Sequence, residues 1–195
     1  MKSWKSLKKI LCVRLDNIGD VIMTMPAIKA LKEAIPDRSL SLLVSCASAE
    51  AARAFKIADE LIVYDAPWMK ASKSVSNKRD FEMIEQIRSR NFDAGVIFTV
   101  FSQSPLPAAL LMFWAGVPRC LAYCHENPYQ IISDWIKYPD PEQGIRHEVK
   151  RHLDLVSATG AQLSSANMFL EIPMHVTDLV SRKLRTKGVK LNKPL

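Results

Sequence analysis

The sequence predicts an α/β domain of Rossmann-like, three-layer type, with a mainly parallel sheet between helices. Three observations lead there. Short apolar, β-rich runs alternate with longer segments whose apolar residues recur three and four apart, the pattern of βαβ units. The first run, ILCVRL, meets the polar turn Asp16-Asn17-Ile18-Gly19-Asp20 and then the amphipathic segment VIMTMPAIKALKEAIP, as in a strand delivering the chain to a helix mouth. The chain has 195 residues, 48% of them hydrophobic and 24% charged, a globular balance for about one domain.

Strands are expected at 10–15, 40–45, 61–65, 94–99 and 119–123, and helices at 26–35, 47–56, 78–90, 105–115, 146–159 and 176–187, with right-handed crossovers. Lys2, Lys5, Lys8 and Lys9 before ILCV give the start a superficial likeness to a signal peptide, but Arg14 and Asp16 interrupt the apolar run too early, so it reads as a first strand. Pro26 decides the first helix: one beginning at Gly19 would lose a backbone bond near Ile22, so the helix starts near Pro26 or kinks there. The segment 66–77, APWMKASKSVSN, has no clean period and carries Lys70 and Lys73, which predicts a mobile basic loop.

Phe81, Ile84 and Ile87 mark the next helix, with Asn77 as a candidate N-cap, Asp80 in the first turn and an end near Asn91. The longest apolar stretch, 106–117, falls short of the roughly 18 residues needed to cross a bilayer and reads as a buried helix. Pro128, Pro139 and Pro141 punctuate an irregular stretch over 124–145. Val149, Leu153 and Val156 define a helix closed by Gly160, and 176–187 repeats the arrangement before Gly188. The final VKLNKPL has the character of a strand about to begin.

A net charge of +7 and a pI near 9.3 favour acidic partners: phosphorylated sugars, nucleotides, nucleic acid or an anionic membrane. The sign alone does not choose among them. Cys12 and Cys46 lie in apolar runs, where a thiol packs as a small hydrophobe, and a reducing compartment fits best. Cys120, Cys124 and His125 are close in sequence, but no second ligand pair stands at a finger-like spacing.

The turn at 16–20 carries the chemistry. Asp20 falls near a helix N-terminus, where free N–H groups favour negative charge, and Gly19 permits an unusual backbone angle. A substrate-facing carboxylate there can serve as a general base toward a sugar hydroxyl, and an Asp at a helix start is equally an ordinary cap. The turn lacks G-x-G-x-x-G, so a dinucleotide site of that kind is not supported. Lys70, Lys73, Lys78 and Arg79 can grip phosphate or carboxylate groups, or simply be solvated. Ser102, Gln103 and Ser104 follow the fourth strand at the ligand-facing edge and can hydrogen-bond a sugar, with helix capping by Ser104 the alternative. Leu106, Leu110, Phe113 and Trp114 read as core, with docking on anionic lipid as the competing use.

RLDNIGDVIMTMPAIKALKEAIP resembles the N-terminal signature of glycosyltransferase family 9, the ADP-heptose:lipopolysaccharide heptosyltransferases. The likeness rests on Arg14 ending the strand, the Gly19-Asp20 pair, the Thr-x-Pro-Ala-x-x-Ala-Leu run at 24–31, and Pro36. It extends more weakly through FDAGVIF, AGVPR and GIRHEVKRHLDLV. The resemblance implies the N-terminal half of a GT-B glycosyltransferase: residues 1–175 as an acceptor-side domain, and 176–195 as helix and linker toward a C-terminal nucleotide-sugar domain, KPL at 193–195 being like the start of its first strand. It implies inverting transfer of a heptose or related sugar to a lipopolysaccharide-like or other glycan acceptor at the cytoplasmic face of a membrane, with peripheral membrane contact.

Asp20 then falls on the family's proposed catalytic base. Arg14, Asp16, Asn17, Gly19, Ser102, Gln103, Ser104, His147, Lys70 and Lys73 are the expected substrate-binding residues, and His152 is read as solvent-facing. Asp16 adds a second charge, which would raise the proton affinity of Asp20 if the two approach closely. His147 matches a family histidine whose reading is acceptor contact, with capping or packing as the alternative. Thr99, Val100 and Phe101 stand where the family often has an aspartate or glutamine. The resemblance implies no cofactor, metal or nucleic acid; the partners are a nucleotide-sugar donor and a glycan or lipid-linked acceptor. Two other readings stay open: a non-catalytic carbohydrate- or partner-binding domain, and an inactive truncated fragment.

Overall fold

A computed structural model of the chain describes residues 3–70, 77–138, 147–163, 172 and 174–189. Lys73, Pro139, Pro141, Arg146 and 190–195 lie outside them. Among the described residues six strands form one sheet: β1 (Lys9–Arg14), β2 (Ser39–Val44), β3 (Glu60–Val63), β4 (Ala94–Ile97), β5 (Cys120–Cys124) and β6 (Asp134–Lys137), in the spatial order β3-β2-β1-β4-β5-β6. Every pairing is parallel. The helices are α1 (Ile18–Glu33), α2 (Ala49–Phe55), α3 (Asn77–Arg88), α4 (Leu106–Trp114), α5 (Glu148–Ser157) and α6 (Met174–Thr186).

Side chains alternate across the sheet, so one strand feeds two cores. Ile10 and Cys12 of β1 join Leu42, Val96 and Leu121 under α1, α2 and α5, while Leu11 and Val13 join Leu43, Ile97 and Ala122 under α3 and α4. Near-continuous burial along β1, β2, β4 and β5 is what a sheet covered on both faces requires. Arg14, two residues beyond Cys12, therefore points toward the α1 and α5 layer from the carboxyl end of β1. The chain moves outward from β1 to β3 and then returns to β4, which places a topological switch between β1 and β4; open α/β sheets bind ligands outside the carboxyl ends of strands at such a point.

Helix α1 starts at Ile18, eight residues before the expected beginning at Pro26. Asn17 is its N-cap and the Asp20 carboxylate accepts the Asn17 backbone N–H at 3.3 Å, one half of a capping box. Pro26 sits inside the helix, at a cost of about 3 kcal/mol in lost bonding and crowding. Val21, Met25, Ile28 and Leu31 are almost fully buried. At roughly 1.5–3 kcal/mol each, their burial outweighs the proline.

Strand β6 was not expected. It runs through the stretch read as irregular, with half of its residues exposed, because an edge strand buries only one side. Phe113 and Trp114, expected in the core, are 56% and 57% exposed at the end of α4. Only Ala108, Ala109, Leu111 and Met112 of that helix are buried; the sulfur of Met112 reaches toward Gly95, where a Cβ would stand 2.3 Å from it. Cys46, read as packed, is exposed just after β2, whereas Cys12, Cys120 and Cys124 are buried. The turns called by glycine are present: Gly160 and Gly188 have φ of 84° and 79°. Helix α6 buries none of its residues.

Arg38, 1% exposed, ties the N-terminal segment to the sheet by donating to the carbonyls of Leu7 (3.3 Å), Leu31 (2.9 Å) and Trp4 (2.8 Å). Burial lowers its pKa from the ordinary arginine value, and proximity to the Cys12 thiol acts in the opposite sense. Replacing Arg38 by Ala strands three carbonyls, and urea unfolding should register a loss of about 3 kcal/mol. An unchanged midpoint and slope would show that Arg38 is not the tie.

Candidate active site

The switch between β1 and β4 is where the sequence-predicted residues meet. Arg14 is fully buried, and its guanidinium contacts two carboxylates: Nε to Asp16 Oδ2 at 3.1 Å and Nη2 to Asp20 Oδ1 at 3.1 Å. These are ion-pair contacts; none of the Arg14 nitrogens makes a directed hydrogen bond among the described residues. Burial lowers the pKa of Arg14, and Asp16, Asp20 and Glu148 oppose that shift while Arg151 adds to it. The Asp16 carboxyl is pushed above its usual range, first by burial and then by Asp20, against the pull of Arg14 and of a hydrogen bond from the Gln103 side chain. Asp20 keeps 18% of its side chain exposed, so a hydroxyl can reach it from solvent.

Gly19 does not hold an unusual backbone angle, as the sequence suggested; it lies in the first turn of α1, outside the positive-φ residues. A Cβ built there meets nothing within 4 Å. The position is exposed, so a side chain there would project into open space. Asn17 is exposed at the cap.

Gln103 is brought to Asp16 and also donates to Met69 Sδ at 3.2 Å. Trp68 and Met69 line a small cleft beside Asp16 with Leu15, Thr99 and Ala108, so the start of the segment read as a basic loop contributes apolar side chains. Ser104 accepts from the backbone N–H of Leu106 (3.3 Å) and donates to Glu126 (3.1 Å), the capping alternative. Ser102 and Lys70 are exposed. Lys78 lies on α3, 3.9 Å from Glu82. His147 is the N-cap of α5, its Nδ1 accepting from Val149 N–H at 3.3 Å.

Helix α5 supplies what the sequence reading missed. Its buried face is Arg151, His152, Leu155 and Val156; of the expected Val149, Leu153, Val156 stripe, Val156 is buried and Leu153 packs partly buried against the core. His152, expected in solvent, is 1% exposed, packed edge-on against Phe98 at 5.3 Å. Thr24 spends its hydroxyl proton on Asp20 O at 2.8 Å, which leaves its oxygen to accept from His152 Nδ1 (3.3 Å), while Nε2 faces Arg151 at 3.3 Å. Burial, with Arg14 and Arg151 nearby, pushes the imidazole down to about 3, so it is neutral. Arg151 donates to Glu148 at 2.6 Å, to the Tyr138 hydroxyl and to the Thr99 carbonyl at the end of β4. The signal was in the sequence: Arg151 and His152 stand four residues before Leu155 and Val156, on the apolar stripe itself.

Three carboxylates (Asp16, Asp20, Glu148) and two guanidiniums (Arg14, Arg151) thus share one small region around a neutral histidine. Chemically it can accept a proton at Asp20 and hydrogen-bond hydroxyl groups. Among the described residues no group of three or more His, Cys, Asp or Glu could hold a metal ion, and no helix is long and apolar enough to cross a membrane.

No family model and no curated protein matches the chain by sequence. Solved structures do match by shape. A glycosyl transferase family 9 protein from Veillonella parvula DSM 2008 aligns with 98% of this chain and 52% of its own length at TM-score 0.73 and 16% identity. The E. coli ADP-heptose lps heptosyltransferase II aligns with 95% of this chain and 52% of its own at TM-score 0.67 and 15% identity. The chain has the fold of half of such a glycosyltransferase. An E. coli heptosyltransferase solved with ADP gives TM-score 0.58 at 19% identity over 80% of this chain and 49% of that one. The chain therefore spans about half the length of the structures it matches, and at these identities the likeness is one of fold.

His152 makes the site pH-sensitive. The unfolded chain takes a proton on this ring near 6.5 and the folded chain only near 3, so its contribution is complete above about pH 6.5 and is lost as pH falls toward 3. The slope is about 1.4 kcal/mol per pH unit. Asp16, with its raised pKa, works in the opposite sense, so the informative quantity is a difference between variants. Between pH 7 and pH 5, wild type should lose about 2 kcal/mol more urea-unfolding free energy than His152→Gln. Equal losses would mean the ring is not held neutral.

Proposed function

We propose that this chain is the acceptor-binding, base-bearing N-terminal half of an inverting family-9 glycosyltransferase, moving a heptose or related sugar from a nucleotide sugar to a lipopolysaccharide-like or other glycan acceptor. The observation that carries the reading is the Asp20 carboxylate: partly exposed, fixed by Arg14 and the Asn17 N–H, beside the open space at Gly19, at the sheet's switch point. In the reaction an acceptor hydroxyl gives its proton to an Asp20 oxygen as its own oxygen forms a bond to the donor's anomeric carbon. The bond from that carbon to the nucleoside diphosphate breaks on the opposite face, and the leaving group takes the electron pair. Asp16, Asn17 and Gln103 hold acceptor hydroxyls, with Ser102, Ser104, Lys70 and His147 at the periphery; Lys73 joins them on its sequence alone.

The donor belongs to a second α/β domain, with α6 on the link to it. Support comes from longer solved structures of this fold, of which the chain covers about half, one holding ADP and one holding ADP-2-deoxy-2-fluoro heptose. Exposed Phe113 and Trp114, with Arg88 donating to the Trp114 carbonyl, support a peripheral seat on the inner face of a membrane. One observation favours a second reading, a binding domain without catalysis: Asp20 is already engaged as a helix cap.

With a nucleotide-sugar-binding domain supplied, Asp20→Asn should lower kcat by about 10²–10⁴-fold with little change in KM for the acceptor. Intact turnover removes Asp20 as the base. Gly19→Ala should leave the melting temperature unchanged or slightly higher, since alanine is the better helix former by up to about 1 kcal/mol, and yet reduce transfer at least tenfold by filling the space beside Asp20. Full activity in that variant would show that no substrate approaches there. Residues 1–195 alone should bind a lipooligosaccharide core fragment in calorimetry and should not bind ADP. ADP binding without acceptor binding would reverse the assignment of the two halves.

A further inference from the structure

Beyond the carboxylates, the carboxyl ends of β4, β5 and β6 carry aromatic rings that the reaction does not use. Tyr138 lies on Tyr123 with centroids 4.9 Å apart and an interplanar angle of 25°, and His125 lies on Tyr138 at 4.3 Å and 18°. Phe101 stands perpendicular to His125, at 90° and 4.7 Å, and 5.1 Å from Tyr138. The inner rings, Tyr123 and Tyr138, are buried, while Phe101 is 41% exposed and His125 is exposed. His125 Nε2 bonds the Phe101 carbonyl at 2.9 Å, so the two exposed rings are locked to each other as an L-shaped corner.

The corner is anchored to the site. Tyr138 accepts from Arg151, whose guanidinium also holds Glu148 and the end of β4. Phe101 is two residues from Gln103, which bonds Asp16. Exposing a large ring costs free energy that burying it would recover, and here two are presented together beside a candidate catalytic carboxylate.

Resting on the glycosyltransferase reading, we propose that Phe101 and His125 form a stacking subsite for a pyranose ring of the glycan acceptor, one sugar away from the hydroxyl that reacts. The apolar C–H face of a pyranose packs on an aromatic face, and its hydroxyls need acceptors at the rim. Glu126 supplies one: its carboxylate, held by the Ser104 hydroxyl at 3.1 Å, lies on the same loop edge. That carboxylate also argues against the other flat partner available to such rings, a nucleotide base, because it would face the phosphates that accompany the base. Ser102 adds a hydroxyl beside Phe101.

The test is ring-resolved NMR binding on residues 1–195, with methyl α-D-mannopyranoside and methyl β-D-glucopyranoside as sugar probes and adenosine monophosphate as the competing class. At least one pyranoside should receive saturation from the protein on its ring C–H protons and shift the aromatic signals of Phe101 and His125. Phe101→Ala should weaken that binding about tenfold, and Phe101→Tyr should restore it to within a few-fold. His125→Ala provides a second, independent variant should Phe101→Ala not fold, and should weaken binding likewise. The proposal is overturned by no response to either pyranoside at 200 mM (roughly the weakest binding worth calling a site), by equal binding in the Ala variants, or by adenosine monophosphate shifting these rings in place of the sugars. No donor is present, so the outcome is independent of whether Asp20 is the base.

Discussion

The candidate site depends on one interaction, a fully buried guanidinium held between two carboxylates. Taking an arginine charge out of water costs several kcal/mol, and the cost is met only when opposite charges stand close. Arg14 meets Asp16 and Asp20, each at 3.1 Å, because β1 delivers it to the α1 side of the sheet while the turn after β1 brings both acids back over it. Position in the strand, the start of the helix and the charge of the turn are therefore one problem with one solution. Asp20 is fixed by its partner and by the helix cap at once, the kind of immobility a positioned base requires.

The second layer of the account is that α5 closes this arrangement from the side. Its Glu148 and Arg151 act on Arg14, and Arg151 reaches the end of β4, so the two strands flanking the switch point are linked through one helix. The neutral His152 fits there because burial disfavours its charge and a third cation beside two guanidiniums would be repelled. Buried polar clusters of this kind stabilise little in total, and what they contribute is a single geometry.

The layered architecture was readable from apolar periodicity because four strands are buried on both faces and announce themselves as unbroken runs. Helix α1 was misplaced because Pro26 is a strong local signal and outweighed the equally local cap at Asn17, while the burial of Val21 and Met25 that tips the balance comes from packing distant in sequence. Strand β6 was missed because an exposed edge of four residues, with Trp135 37% exposed, carries no apolar run. At the site, Asp16 and Asp20 stood out through turn chemistry. Arg151 and His152 did not, since a polar residue on an apolar stripe is visible only when the stripe is drawn through the right residues. The aromatic corner joins loops 24 residues apart in the sequence, a distance over which no pattern speaks.

A double-mutant cycle between Arg14 and Asp20 addresses the central interaction directly. Unfolding free energies would be measured for Arg14→Met, Asp20→Asn and the pair. The account predicts that Arg14→Met alone costs about 3–5 kcal/mol, by leaving carboxylates crowded without their cation, and that the two changes together cost clearly less than their sum. Strict additivity, or an Arg14→Met protein as stable as wild type, would contradict it.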